Sequence, residues 1–313
     1  MLRRVQEWFL GGNVHVTTFF LAIALLVAIP SYSHLPDGRV LKAFQFPDGF
    51  APQIDGDLGD WALVDDSYTI VTGDLQDLVG EGEADPTDFA VRMMVGWSSE
   101  HNKLYIAAEV RDDIHQIDRP AGSAATRIFQ DDAFEIFIDA DHSGGQFANF
   151  TELSSEDQIS VNGTEANHFV LAGPPPDEDF FVNYSAAAWY ALADGPYTSA
   201  AISFDGIVGG AGVIRYEVAL VPFDHIDVNA VFLSVEHVLR EGAIIGFNAE
   251  FDDYDVLAEI LDAKWSLSGE LNSYRFSERF ADLMLMPLEN IFLPTVVESR
   301  SWGRIKSTLT PKE

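Results

Sequence analysis

Phe129-Gln130-Asp131-Asp132-Ala133-Phe134-Glu135-Ile136-Phe137-Ile138-Asp139-Ala140-Asp141 reads as a strand entered and left through acids. In an extended chain Phe134, Ile136 and Ile138 share one face, and Ala133, Glu135, Phe137 and Asp139 share the other. Two runs upstream repeat the pattern. Val91, Met93, Val95 and Trp97 alternate with Arg92, Met94 and Gly96; Leu104, Ile106, Ala108 and Val110 alternate in the next. The short polar connection Ser98–Asn102 makes these two a hairpin. Period-two alternation predicts an antiparallel sheet with one buried face.

Further strands are expected at Tyr68–Thr72, Asp157–Asn162, Phe169–Leu171, Ile214–Pro222, Ala243–Asp253, Lys264–Leu267 and Phe280–Pro287. Many short strands, with no long amphipathic helix, predict an all-β fold: an antiparallel, jelly-roll-like β-sandwich. Ser143–Pro196 shows weak periodicity and reads as an irregular insertion. Asp and Gly in Ile54-Asp55-Gly56-Asp57-Leu58-Gly59-Asp60-Trp61 form a tight turn, with Trp61 expected to plug the end of the core.

The 313 residues carry 50 acidic and 18 basic side chains, a net charge of -32. Nucleic acid is excluded as a partner, because phosphates attract basic faces. The chain has no cysteine, hence no disulfide and no zinc thiolate. Arg3 and Arg4 precede the apolar run Val14–Ile29, and small residues follow. This is the pattern of a secretory signal over 1–33 or, if uncut, of an N-terminal membrane anchor. The body, 34–292, is therefore expected in the periplasm, the cell envelope or the medium. The tail 293–313 is basic, with Arg300, Arg304, Lys306 and Trp302, and is expected to dock on a partner protein or on the acidic body.

The strands, in their order, resemble the family 9 carbohydrate-binding modules over about 50–290. The matching pieces are Ile54-Asp55-Gly56 to Trp61, Val95-Gly96-Trp97 with Leu104-Tyr105-Ile106, Asp132–Asp139, Tyr216–Pro222, Gly246-Phe247-Asn248 with Asp252 and Asp253, Trp265, and Phe280 with Leu283-Met284-Leu285. The resemblance implies a non-catalytic sugar-binding sandwich, often attached to enzymes of polysaccharide breakdown, and able to hold calcium. It places the family's two clamping tryptophans at Phe129 and Tyr274, and its hydrogen-bonding carboxylate at Glu135. Ser160 stands where the family has an arginine.

Aromatic faces pack well on sugar C–H bonds, and an ionised carboxylate accepts from hydroxyls. Asp112, Asp113, Asp131 and Asp132 bring hard oxygens to strand ends, a donor set suited to structural calcium. His115, His225 and His237 show no metal spacing, and GxSxG, HExxH and P-loop motifs are absent. Two other readings stay open: an envelope structural or assembly protein that has kept the fold without the ligand, and a haem-binding redox domain with Met93 or Met94 and a histidine as axial ligands.

Overall fold

The computed structural model describes residues 39–80, 85–120, 122–123, 127–173, 180–190, 192–255 and 260–289. The segment 1–33 and the tail 293–313 lie outside them. No helix among the described residues is long and apolar enough to cross a membrane.

The expected hairpin forms from β4 (Phe89–Ser98) and β5 (Lys103–Asp112), with Ser98 opposite Lys103. β10 (Gly212–Leu220) joins β5 in antiparallel register, and β9 (Thr198–Gly206) joins β10. The second sheet centres on β13 (Ile244–Asp253). It pairs with β6 (Ala133–Asp139), β14 (Ala263–Ser266) and β15 (Ala281–Leu285). β7 (Asn167–Ala172) adds to β6, and β8 (Phe180–Ser185) adds to β7.

One strand serves both sheets. In β1 (Val40–Gln45), Val40–Ala43 lies parallel to β15, whereas Phe44 and Gln45 lie parallel to β4. The sandwich is therefore mixed rather than purely antiparallel.

The inward residues are those the alternation assigns. Val91, Met93, Val95 and Trp97 meet Leu104, Ile106, Ala108, Val110, Phe134, Ile136 and Ile138 in one apolar cluster. Phe134 stacks on Phe251 at 4.6 Å, and its ring centroid lies 5.4 Å from that of Tyr216 on the opposite sheet. Burying each such side chain contributes about 1.5–3 kcal/mol.

Trp61 does not plug the end of this core. It sits in a separate cluster with Phe44, Phe46, Met94 and Tyr105, on the outer face of the β4–β5 sheet. Its indole N–H donates to Glu217 Oε1 at 2.9 Å. Gly96 is required there, since a Cβ would stand 2.3 Å from the Phe46 ring.

One further expectation fails. Asp157–Asn162 is not a strand: Ser155–Val161 is a short helix, whose Ser154 hydroxyl accepts from the Asp157 amide. Glu156 and Asp157 in its first turn suit the positive end of the helix dipole. Ile159 is exposed. The irregular stretch Ser143–Pro196 contributes to the sandwich itself. It supplies β7 and β8, and its Phe169, Leu171 and Tyr190 are fully buried in the main core. At Tyr68–Thr72 only β2 (Ile70–Val71) is extended, between single 3-10 turns; the other short strands are β3 (Gln76–Asp77), β11 (Phe223–His225) and β12 (Val235–Glu236).

Candidate functional site

The outer face of the second sheet carries polar residues at alternate positions, and strand register sets them side by side. Glu135 on β6 lies opposite Glu250 on β13, and Asp252 on β13 lies opposite Lys264 on β14. Like charges directly opposite on a sheet repel. Lys264 resolves the conflict: its Nζ lies 2.6 Å from Glu135 Oε1, 2.7 Å from Asp252 Oδ1 and 3.2 Å from Glu250 Oε2. His168 on β7 completes the group, with Nε2 at 2.6 Å from Glu135 Oε2. A carboxylate can only accept, so this ring nitrogen carries the proton.

Burial works against a charged Glu135, but Lys264 and then His168 outweigh it and hold its carboxyl well below the usual range. Burial raises Asp252 instead; Lys264 pulls it down, and the neighbouring Glu135 charge pushes it well above the usual range. For Lys264, burial is overcome by Asp252, Glu135 and Glu250, which hold the ammonium firmly protonated. Two buried polar atoms in this group have no partner among the described residues, His168 Nδ1 and Asp252 Oδ2.

This group forms the floor of a cleft of about 390 Å³. Phe129, Tyr184, Tyr254 and Tyr274 supply aromatic walls. Phe129 sits in the 3-10 turn Ile128–Gln130 that leads into β6. Ile128 anchors that turn in an apolar cluster with Ala133 and Val170, and the Tyr254 hydroxyl donates to the Phe129 carbonyl at 3.1 Å. The Phe129 ring meets Tyr184 edge to face at 5.8 Å. Tyr274 is 38% exposed and follows Ser273, whose hydroxyl donates to Glu250 Oε1 at 2.5 Å.

The three residues named for sugar contact, Phe129, Glu135 and Tyr274, thus line one cleft. Glu135 is no solvated outward residue, since 4% of it is exposed. His168, Tyr184, Glu250, Asp252, Tyr254 and Lys264 were not legible as site residues. Their signal was nevertheless present. Asn248, Glu250 and Asp252 alternate along one strand, and Lys264 and Ser266 along the next, with apolar residues between. Ser160 lies on the short exposed helix and does not line the cleft. Met93 and Met94 are buried in apolar clusters on opposite faces of β4, away from the cleft lining.

A second acidic group gathers where β4, β5 and β13 end. Carboxylate oxygens of Asp88, Asp113 and Asp255 lie within 4.8 Å of one another, as do those of Asp112, Asp253 and Asp255. Asp112, His115 and Asp132 form an adjoining set. Burial and then the charge of Asp112 raise Asp253 to about 8; burial and then Asp88 raise Asp255 to about 6. An oxygen-rich, mutually repelling set fits a hard divalent cation in its donor chemistry.

Of the four acids expected to bind metal, Asp131 is ion-paired elsewhere, and Asp132 stays in the set with Asp112 and His115. Asp131 leaves the set: Oδ2 takes the Arg119 guanidinium at 2.7 Å, and Oδ1 accepts two loop amides. Asp132 Oδ2 accepts from the Gln116 amide at 2.6 Å, and Oδ1 from the Tyr254 amide at 2.9 Å. Asp112 and Asp113 stay in the cluster, joined by Asp88, Asp253 and Asp255.

No protein-family model and no curated protein matches the chain. Among solved structures it is similar to a family 9 carbohydrate-binding module from Caldicellulosiruptor kristjanssonii in complex with glucose. That match has 16% identity and a TM-score of 0.52, and covers 82% of this chain and 100% of that one. The complex with cellotriose gives 15% identity, a TM-score of 0.47, and 82% and 97% coverage. A carbohydrate-binding protein from Bacteroides uniformis, so described only by inference, gives 13%, 0.38, and 79% and 99%. At these identities the likeness speaks for architecture: the chain has the all-β sandwich fold of a family 9 carbohydrate-binding module.

Proposed function

We propose that the cleft binds a saccharide without catalysing a reaction on it. One observation carries the reading. Phe129, before β6, and Tyr274, before β15, are far apart in sequence, yet both line the cleft whose floor holds Glu135. A pyranose entering there would lose apolar surface to the rings, while its hydroxyls would donate to carboxylates. The neighbouring architecture, solved with glucose and described as a carbohydrate-binding module, supports the same reading.

The signal pattern at 1–33 would deliver the module to the periplasm, envelope or medium. There it would hold polysaccharide for enzymes that break it down. The acidic group at the strand ends would take calcium in a structural role.

Phenylalanine and tyrosine offer less stacking area than tryptophan. Affinity should therefore be modest, with Kd roughly 0.1–1 mM, or about -4 to -5.5 kcal/mol. Titration calorimetry with glucose, cello-oligosaccharides and a glycan array tests the proposal. Absence of binding across the array would sink it and leave the envelope-protein reading in its place.

A further inference from the structure

The inference below rests on the cleft being a saccharide site, and it names the class of sugar. We propose that the preferred ligand is a pyranose bearing a free, protonated amine, seated against Asp252.

Three carboxylates stand on the floor, and all but one of their oxygens are engaged. Glu135 Oε1 meets Lys264, and Oε2 meets His168. Glu250 Oε1 accepts from Asn248, Ser266 and Ser273, and Oε2 lies 3.2 Å from Lys264. Asp252 Oδ1 accepts from Lys264 at 2.7 Å. Asp252 Oδ2 remains: it is buried, it has no donor, and its residue lines the cleft. A buried acceptor without a donor costs free energy, about 1–3 kcal/mol. A ligand that donates to it recovers that cost.

The charge balance selects the donor. Among the described residues that line the cleft, Lys264 is the single ammonium against three carboxylates, and all three hold it in place. An arriving ammonium adds a second positive charge to this floor and donates an N–H to the unpartnered Asp252 Oδ2. Hydrogen bonds between charged groups are stronger than those a sugar hydroxyl would make.

The walls agree with this choice. Phe129, Tyr184, Tyr254 and Tyr274 line the cleft, and aromatic rings attract cations as well as packing on C–H bonds. The net charge of -32 adds a field that draws cations and repels uronic acids.

The test is calorimetric titration of the full chain with glucosamine, glucose, N-acetylglucosamine, glucuronate and choline. Glucosamine is expected to bind at least about tenfold tighter than glucose, the scale of one charge-assisted hydrogen bond. N-acetylation should remove the advantage, and glucuronate should bind weakest. Asp252→Asn should bring the glucosamine-to-glucose ratio close to one. Glucose binding as tightly as glucosamine would overturn the amine assignment and leave the saccharide site standing. Choline matching glucosamine would replace both with a simple cation trap. If no sugar bound at all, the saccharide reading itself would fall. An unchanged ratio in Asp252→Asn would remove Asp252 as the partner. The wild-type comparison stands even if that variant fails to fold.

Discussion

Lys264 on β14 reaches over β13 to place its Nζ 2.6 Å from Glu135 Oε1 on β6. One side chain therefore ties three strands together on the sheet's outer face and fixes the floor of the cleft. About a fifth of the side chain remains accessible, at 21%, while Glu135, Glu250 and Asp252 are almost wholly buried.

Removing this lysine should be costly. Lys264→Ala would leave three buried carboxylates facing one another, and breaking a buried pair from one side costs about 3 kcal/mol or more. Urea denaturation should show the midpoint falling while the slope is unchanged. A loss below about 1 kcal/mol, the range of a surface ion pair, would mean that solvent already screens the group.

Phe129→Ala should abolish saccharide binding with little change in stability. Phe129 is half-buried, and the Tyr254 hydroxyl holds its backbone carbonyl, which the substitution keeps. Tyr274→Ala should weaken binding in the same direction, since its exposed ring is already partly solvated. Calorimetry measures the binding, and thermal unfolding shows whether the fold has survived. Unchanged affinity in both variants would remove the aromatic walls from the site.

Export can be checked without any binding assay. Mass spectrometry of the mature protein from an exporting host should find its N-terminus shortly after Ser31–His34. An intact Met1 on protein recovered from the cytoplasm would contradict the signal reading.

Much of the architecture was legible because one physical rule dominates it. A strand with one buried face must alternate, so Val91–Trp97, Leu104–Val110 and Phe134–Ile138 announced both their state and their inner faces. The rule fails where both faces are covered. Glu135, Phe137 and Asp139 occupy the outer positions of β6, yet all three are buried, so alternation alone misassigned them to solvent. It also fails for short segments, where a Ser154 cap outweighs the strand propensity of Ile159 and Val161. The site was legible only in part. Phe129, Glu135 and Tyr274 came from a resemblance in order, whereas Lys264, Asp252 and His168 depend on register between strands far apart in sequence. A single sequence carries no direct mark of that register. The pairing of Asp131 with Arg119 is illegible for the same reason, because the two meet only once the loop has folded back.

The acidic group at the strand ends sets the final prediction, a link between pH, calcium and stability. Asp253 and Asp255 have folded-state values raised from an ordinary 3.8 to about 8 and about 6. Asp88 and Asp112 are raised as well, first by burial. A raised carboxyl binds its proton more tightly in the folded chain than in the unfolded one. Its contribution is therefore fully present below pH 3.8 and is lost as pH rises through the folded value, between about 4 and 8 for Asp253. In chelator, these groups should make the melting temperature fall as pH rises across that window. Calcium would supply the missing positive charge in place of the protons, so its stabilising effect should grow with pH. An ion that binds the folded state only raises stability by mass action, so the melting temperature should climb with free calcium. Asp253→Asn should flatten the pH dependence in chelator and weaken the calcium response together, as both arise from the same repulsion. Equal melting temperatures in chelator and in excess calcium at pH 8 would show that these acids hold no structural ion.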